Sequence, residues 1–361
     1  MKRKVILIVM FITILTLSAC SSNKSYPRSN DVNAFNNKEA IKLVDEYMEY
    51  LFHGQYKEAK ELTTITAPIE DGTGASEELK TMGWKVEDLN SIGDSVLVRA
   101  RVAKSSKSQC ISLLEEHMVK VKKHGQLYKI EEIQVSRQEE AFKEGESLRV
   151  RQKNNVDTAL LIDKGGFPHY IYPKGGKEPI REVQVPSDIE FAMNTFNYSG
   201  DKVALAMEQQ GTFIAIVKIE ETLGVQGDKQ NNSNESHDNK DNSKNKVRET
   251  PLGKELISID LINDSKVVLM SFSKDEKFLV VQYKTQEGVD FIRCYNAESG
   301  EVIGIDIEKQ FPKDKAHVSF SNFDKNHLYI EVKAVEDNEE TYKNLNGIWQ
   351  IDLKDFKIKK L

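Results

Sequence analysis

Cysteine, proline and tryptophan are scarce in this sequence, with 3, 8 and 2 copies in 361 residues. So few cysteines exclude a disulfide-stapled scaffold and any multi-cysteine zinc site. An excess of positive charge is missing too: 51 Lys and Arg face 57 Asp and Glu, for a formal charge of -6. A chain built to hold nucleic acid would need a dense basic face, so no nucleic-acid partner is expected. Motifs that carry a mechanism are also absent. There is no His-Glu-x-x-His, Gly-x-Ser-x-Gly, Walker loop, Cys-x-x-Cys or Gly-x-Gly-x-x-Gly. Gly165-Gly166 and Gly175-Gly176-Lys177 have phosphate-loop composition, but Pro168, Pro173 and Pro179 surround them and neither opens a helix, so they read as turns. Asp238 to Ser243 lacks the central glycine and closing glutamate of a calcium loop. No cofactor, no metal site and no catalytic residue is expected.

A long apolar run occurs only at the front. Lys2, Arg3 and Lys4 precede the almost wholly apolar stretch Val5 to Thr16, which ends at Leu17-Ser18-Ala19-Cys20. The run is shorter than the ~20 residues that a spanning helix needs. The pattern resembles the bacterial lipoprotein signal, and that resemblance implies cleavage after residue 19 and a diacylglyceryl group on Cys20. Two acyl chains would hold the protein on the outer side of the cell membrane without spanning it. Loss of the three leading basic residues makes the body more acidic, so it is not expected to lie flat on anionic lipid. Residues 20–37, rich in Ser, Asn and Lys, read as a flexible tether. Cys110 and Cys294 then remain, and two buried free thiols are expected in preference to a disulfide.

Residues 38–136 read as an α+β domain. Ile41, Val44, Met48 and Leu51 recur at helical spacing, His53-Gly54 ends that helix, and Tyr56 to Leu62 begins a shorter one. Thr63 to Glu77, with Pro68, Gly72 and Gly74, reads as a loop. Strands follow at Trp84 to Glu87 and Val96 to Val102, then a hairpin from His117 to Val135 turning at His124-Gly125. Gly54-x-Tyr56-x-x-Ala59, the strand at Trp84 and the closing Gly125-Gln126-Leu127-Tyr128-Lys129-Ile130 resemble the NTF2-like domains of small bacterial lipoproteins. The resemblance implies a sheet curled around the long helix and a cone-shaped interior, which Tyr47, Trp84 and Tyr128 would line if it held a ligand. Asp45, Glu46 and His53 lie near the helix as possible bases for such a cone, and the spacing selects none of them.

Arg137 to Val150 is polar and reads as a connector, and residues 151–361 are strand-rich. Three segments share an aromatic, an Asp-bearing turn and two following strands. They begin at Phe196 to Asp201, Phe272 to Asp275 and Phe320 to Asp324, and a weaker copy spans Thr158 to Tyr172. Gln226 to Lys246 has no aliphatic or aromatic residue, so residues 224–250 are expected to be a disordered insertion. With that insertion set aside, the repeat period is about 48 residues. Phe272-Ser273-Lys274-Asp275 to Leu279 resembles the blade start of WD40-like and TolB-like β-propellers. The fold class expected is therefore an α+β NTF2-like domain followed by an all-β, propeller-like domain of roughly four blades. The expected role is a non-catalytic, membrane-anchored lipoprotein that binds a protein or cell-envelope component. The alternatives are a small-molecule or glycan binder using the NTF2-like pocket, and a hydrolase with carboxylates at the propeller axis.

Overall fold

Alternation of buried and exposed residues governs most of this chain, and strands dominate its structure. The computed structural model describes residues 36–66, 79–175, 182–219, 249–305, 307–335 and 344–361. The signal segment 1–19, Cys20, the tether up to residue 35, most of the loop at 63–77 and the insertion 224–250 up to residue 248 lie outside the described residues. From Asn37 onward the chain forms one compact unit. No helix among the described residues is long and apolar enough to cross a membrane.

Helix α1 (Asn37–Phe52) buries Ala40, Leu43, Val44, Tyr47 and Met48 along one stripe. Gly54 ends it with φ +69, the left-handed conformation that the sequence requires there. Helix α2 (Tyr56–Glu61) follows. Six strands then form one antiparallel sheet in sequence order: β1 (Lys80–Ile92), β2 (Ser95–Ser106), β3 (Ile111–His124), β4 (Leu127–Glu144), β5 (Ser147–Gln152) and β6 (Ala159–Asp163). The expected hairpin turns at Gly125-Gln126, with Gly125 at φ +63. The expected connector at Arg137 to Val150 is instead strand: it is the second half of β4, a turn at Gly145 with φ +60, and most of β5. Its polar residues belong to a sheet with one partly exposed face, where charged side chains are tolerated and ion pairs such as Arg151–Glu140 form at 3.0 Å. Register shifts between β3 and β4 at Leu114/Glu115 and Lys120/Val121 let this long sheet curl.

After a short ribbon of β7 (Tyr170–Ile171) and β8 (Val183–Gln184), three antiparallel meanders follow. Blade 1 has β9 (Glu190–Phe196), β10 (Lys202–Glu208), β11 (Gly211–Ile219) and β12 (Gly253–Asn263). Blade 2 has β13 (Ser265–Phe272), β14 (Phe278–Thr285) and β15 (Asp290–Asn296), extended by a single bridge from Tyr295 to Val302. A short helix α3 (Ile307–Gln310) leads to blade 3, formed by β16 (Ala316–Phe323), β17 (His327–Ala334), β18 (Gly347–Asp352) and β19 (Ile358–Lys360). The three sequence repeats therefore mark three sheets, and the repeated aromatic-Asp segment is the turn from each blade's first strand to its second.

The weaker fourth copy, Thr158 to Tyr172, is not a blade. Its first strand is β6, paired with β5, and Tyr170–Ile171 pairs with β8. The far half of the six-stranded sheet nevertheless packs against blade 1. Leu114, Ala141, Leu148, Val150 and Leu161 share one apolar cluster with Phe191, Val203, Leu205, Met207, Phe213 and Val217 of blade 1. The alternate residues of blade 1, among them Ala204, Ala206, Ile214 and Ile216, face a second cluster built from blades 2 and 3. Blade 1 is thus buried on both faces, which explains the nearly unbroken apolar run from Val203 to Met207.

Candidate functional site

The three repeated turns hold the helix and the curled sheet. In blade 2, Glu276 pairs with Lys85 of β1 at 2.8 Å and also accepts hydrogen bonds from Asn197 (2.7 Å) and Ser199 of blade 1. Lys274 donates to the carbonyl of Trp84 and lies 3.9 Å from the centre of its indole ring. Burial pushes the Lys274 ammonium down to about 8, against the pull of Asp45, Glu49 and Asp324. In blade 3, Asn322 donates to Glu49 of α1 at 3.0 Å, and Phe320 meets Phe52 edge-on at 5.7 Å. Gly83 of β1 passes so close to blades 1 and 2 that a Cβ there would meet Tyr198 Oη at 2.4 Å and Ser271 Oγ at 2.8 Å. Among these turn carboxylates Glu276 joins the chain's two halves, whereas Asp201, Asp275 and Asp324 accept from Asn197, Ser273 and His327 within their own blades.

The concave face of the sheet carries the residues expected to line a cone. Val96, Val98, Ala100 and Val102 of β2 are buried on one face with Val119 and Val121 of β3, and α1 packs over β1, β2 and β4. Trp84 stands opposite Val102 on this face and donates through Nε1 to Asp45 at 2.8 Å. Tyr47 and Trp84 are both buried beside α1. Tyr128 is not with them: it pairs with Lys123 at the hairpin end of β4, next to the rung where Lys122 pairs with Ser95. Strand rise of ~3.3 Å per residue puts that rung roughly 20 Å along the sheet from Trp84. The expected three-aromatic pocket is therefore not assembled. Trp84 is covered by Lys274 and tied to Asp45, and serves as packing.

Sequence reasoning missed the charged groups that do share this face. Lys104, Glu115 and His117 continue the inward phase of β2 and β3 and are 2%, 2% and 4% exposed. Glu115 Oε2 lies 3.2 Å from Lys104 Nζ and 2.9 Å from His117 Nε2. Burial raises the Glu115 carboxyl, but His117 and Lys104 outweigh it and hold the group below its ordinary range. For His117, burial dominates and lowers the imidazole below its usual value despite the Glu115 carboxylate. His117 Nδ1 is buried without a hydrogen-bond partner among the described residues. The signal was available: Lys104, Glu115 and His117 sit at positions where the alternation calls for an apolar residue.

The second candidate lies on the other side of the sheet, at the seam with blades 1 and 2. A cleft of about 540 Å³ is lined by Lys80 and Met82 of β1, Ser105, Lys107 and Ser108, Met193 of β9, and Lys266, Val267, Val268 and Lys284 of blade 2. Met82, Met193 and Val267 form a buried apolar floor. Lys107 is engaged, donating to Glu208 at 3.2 Å and to the Val267 carbonyl at 2.5 Å. Lys266 and Lys284 stand directly opposite each other on β13 and β14. Lys284 lies 3.6 Å from the Asp290 carboxylate, whereas Lys80 and Lys266 have no ion-pair partner among the described residues. No sequence motif marks this cleft, because its lysines come from strands nearly two hundred residues apart.

No protein-family model matches this chain, and no curated protein matches it in sequence. Among solved structures, the chain is similar at 8% identity and TM-score 0.27 to prolyl endopeptidases studied for inter-domain dynamics, over 92% of this chain and 40% of that one. A putative dipeptidyl aminopeptidase IV from Bacteroides ovatus gives 10% identity and TM-score 0.23, over 76% and 53% of the two chains. Hsv2 from Kluyveromyces lactis gives 11% and 0.23, over 78% and 98%. The chain spans about half or less of the first two. Likeness of this degree assigns neither activity nor ligand.

Cys110 and Cys294 are free and buried, as expected. Burial raises both thiols, Cys294 to about 12, so neither is a ready nucleophile at neutral pH.

Proposed function

We propose that this chain is a lipid-anchored, extracytoplasmic binding protein without a reaction of its own, in which an NTF2-like unit and a propeller-like set of blades together present one binding cleft to a cell-envelope component. The lipoprotein-type signal ending at Cys20 supports the anchor, and α1 against a curled sheet supports the NTF2-like reading. The observation that carries the binding role is the lysine-lined cleft between β1, β9 and β13. It combines an apolar floor with convergent charges, the usual anatomy of a ligand site, and its volume falls within the ~300 to 1,000 Å³ that such sites occupy. The cone interior is instead filled by the protein's own side chains.

A photo-crosslinking residue placed at Val268, on the lip of the cleft, tests this in intact cells. The same residue at Ile348 on blade 3 is the control; the two positions are 39% and 38% exposed. A discrete adduct at position 268 and none at position 348 is expected. Equal labelling at both positions, or none at either, removes the cleft as the binding surface. Cys20→Ala should move the protein from the membrane fraction to the soluble one, and retention on the membrane would refute the lipid anchor.

A further inference from the structure

We infer that the seam cleft takes an organic phosphate, a phosphate group attached to an apolar body; this rests on the cleft being the binding surface. The argument begins with Lys266 and Lys284. Residues directly opposite on antiparallel strands have Cβ atoms ~4.5 to 5.5 Å apart, and like charges in that position repel. Neighbouring acids would normally relieve such a pair, but here the nearby carboxylates are committed. Glu208 is held by Lys107 and by the Val267 amide at 2.5 Å, and Asp290, directly opposite Lys284 on β15, lies 3.6 Å from that one ammonium and leaves Lys266 unmatched. Lys80 adds a further ammonium from the facing sheet edge. A single carboxylate matches one such charge. A phosphate group carries up to about two negative charges and three acceptor oxygens, which suits several lysines acting as point charges.

The rest of the ligand follows from the floor. Met82, Met193 and Val267 are buried beneath the lysines, and Val268 adds exposed apolar surface at the lip. An inorganic ion would leave this surface wet, whereas an ester with a hydrocarbon portion would cover it. The methionines are unbranched and polarisable, so the floor can adapt to a chain of variable shape. Against a body of formal charge -6, this local positive patch also selects the sign of what enters.

The test uses residues 37–361, the compact unit, with three probes: inorganic phosphate, glycerol 3-phosphate and soluble dihexanoyl phosphatidic acid. Calorimetric titration of the parent, of Lys266→Gln/Lys284→Gln and of the surface control Lys325→Gln gives the readout. Binding by the parent and the control is expected, with a loss of ~10-fold or more in the double variant and weakening as salt rises. Affinity at least ~10-fold tighter for phosphatidic acid than for glycerol phosphate identifies a lipid-type source, because the apolar floor is used. Equal affinity means that the floor is unused and overturns the apolar body of the proposed ligand. Absence of binding to all three probes, or equal binding by parent and double variant, overturns the proposal. A specific crosslink at position 268 alongside such a negative result would leave the binding role standing and discard only the phosphate.

The double variant carries a second signature. With no ligand present it should unfold at about the same temperature as the parent, since the Lys266–Lys284 repulsion that is removed and the Lys284–Asp290 ion pair that is lost are of similar size. A purely structural role for the lysines predicts a clear drop.

Discussion

Two lysine-bearing clusters sit on opposite faces of one sheet, and their chemistry is opposite. On the concave face, Lys104 is buried with Glu115 and His117 inside hydrogen-bond distance. On the seam side, Lys266 and Lys284 face each other at the edge of solvent; Asp290 lies 3.6 Å from Lys284, and Lys266 has no ion-pair partner among the described residues. A charge removed from water must find its counter-charge within the chain, because leaving it unpaired costs several kcal/mol. A charge at the edge of solvent carries no such obligation and can wait for a ligand. The contrast separates a cluster that fixes the fold from one that is free to recognise something.

The largest way to break this comparison is at Glu115. Glu115→Gln leaves Lys104 without a buried counter-charge and should lower unfolding stability by about 3 to 5 kcal/mol in urea titration. The triple change Lys104→Met/Glu115→Leu/His117→Leu should restore most of that loss, since a well-packed apolar trio is often as stable as a buried ionic one. If the triple variant is as unstable as the single one, the cluster has a role beyond self-neutralisation. Gly83→Ala should cost about 1 to 3 kcal/mol, because the added methyl group collides with Tyr198 Oη and Ser271 Oγ where the sheet meets blades 1 and 2. Absence of a cost there would mean that the sheet and the blades are less tightly joined than their contacts indicate.

Acid should act through the concave cluster. His117 and Glu115 are both held below their ordinary values in the folded chain, so over the window beneath those values the unfolded chain binds more protons. Stability should therefore fall as pH drops below about 6.5, where an unfolded histidine begins to protonate, and fall again below about 4.5 as an unfolded glutamate does. The first step should vanish in His117→Gln and the second remain, which equilibrium unfolding across pH 4 to 8 would reveal. The smallest effect is expected at the seam. Lys266→Gln/Lys284→Gln without ligand should change stability by only about a few tenths of a kcal/mol, because the repulsion removed and the Lys284–Asp290 pair lost nearly offset each other. A clear loss would place those lysines with the structural cluster instead.

Much of the local structure was legible because it follows from short-range chemistry. The helical stripe of α1, the stop at Gly54, the hairpin at Gly125 and the second and third strands of each blade all have their cause within a few residues. The segment Arg137 to Val150 was misread for the same reason in reverse. Its polarity suggests a linker, and only the partners on β3 and β6 make it strand. The repeated turns were correctly located, but their bonds to Lys85, Trp84 and Glu49 could not be foreseen, since those residues lie in the other half of the chain.

By itself, the sequence determined the alternating patterns, the turn glycines, the three blade repeats and the odd polar residues at inward positions 104, 115 and 117. Those properties depend on neighbours along the chain and on the two-residue period of a strand. Tertiary structure decided that one sheet would serve both halves, that the blade turns would clasp α1 and β1, and that Lys80, Lys107, Lys266 and Lys284 would meet over an apolar floor. The physical reason is that a cleft between sheets belongs to no segment, and its charges converge only after apolar burial has brought distant strands together.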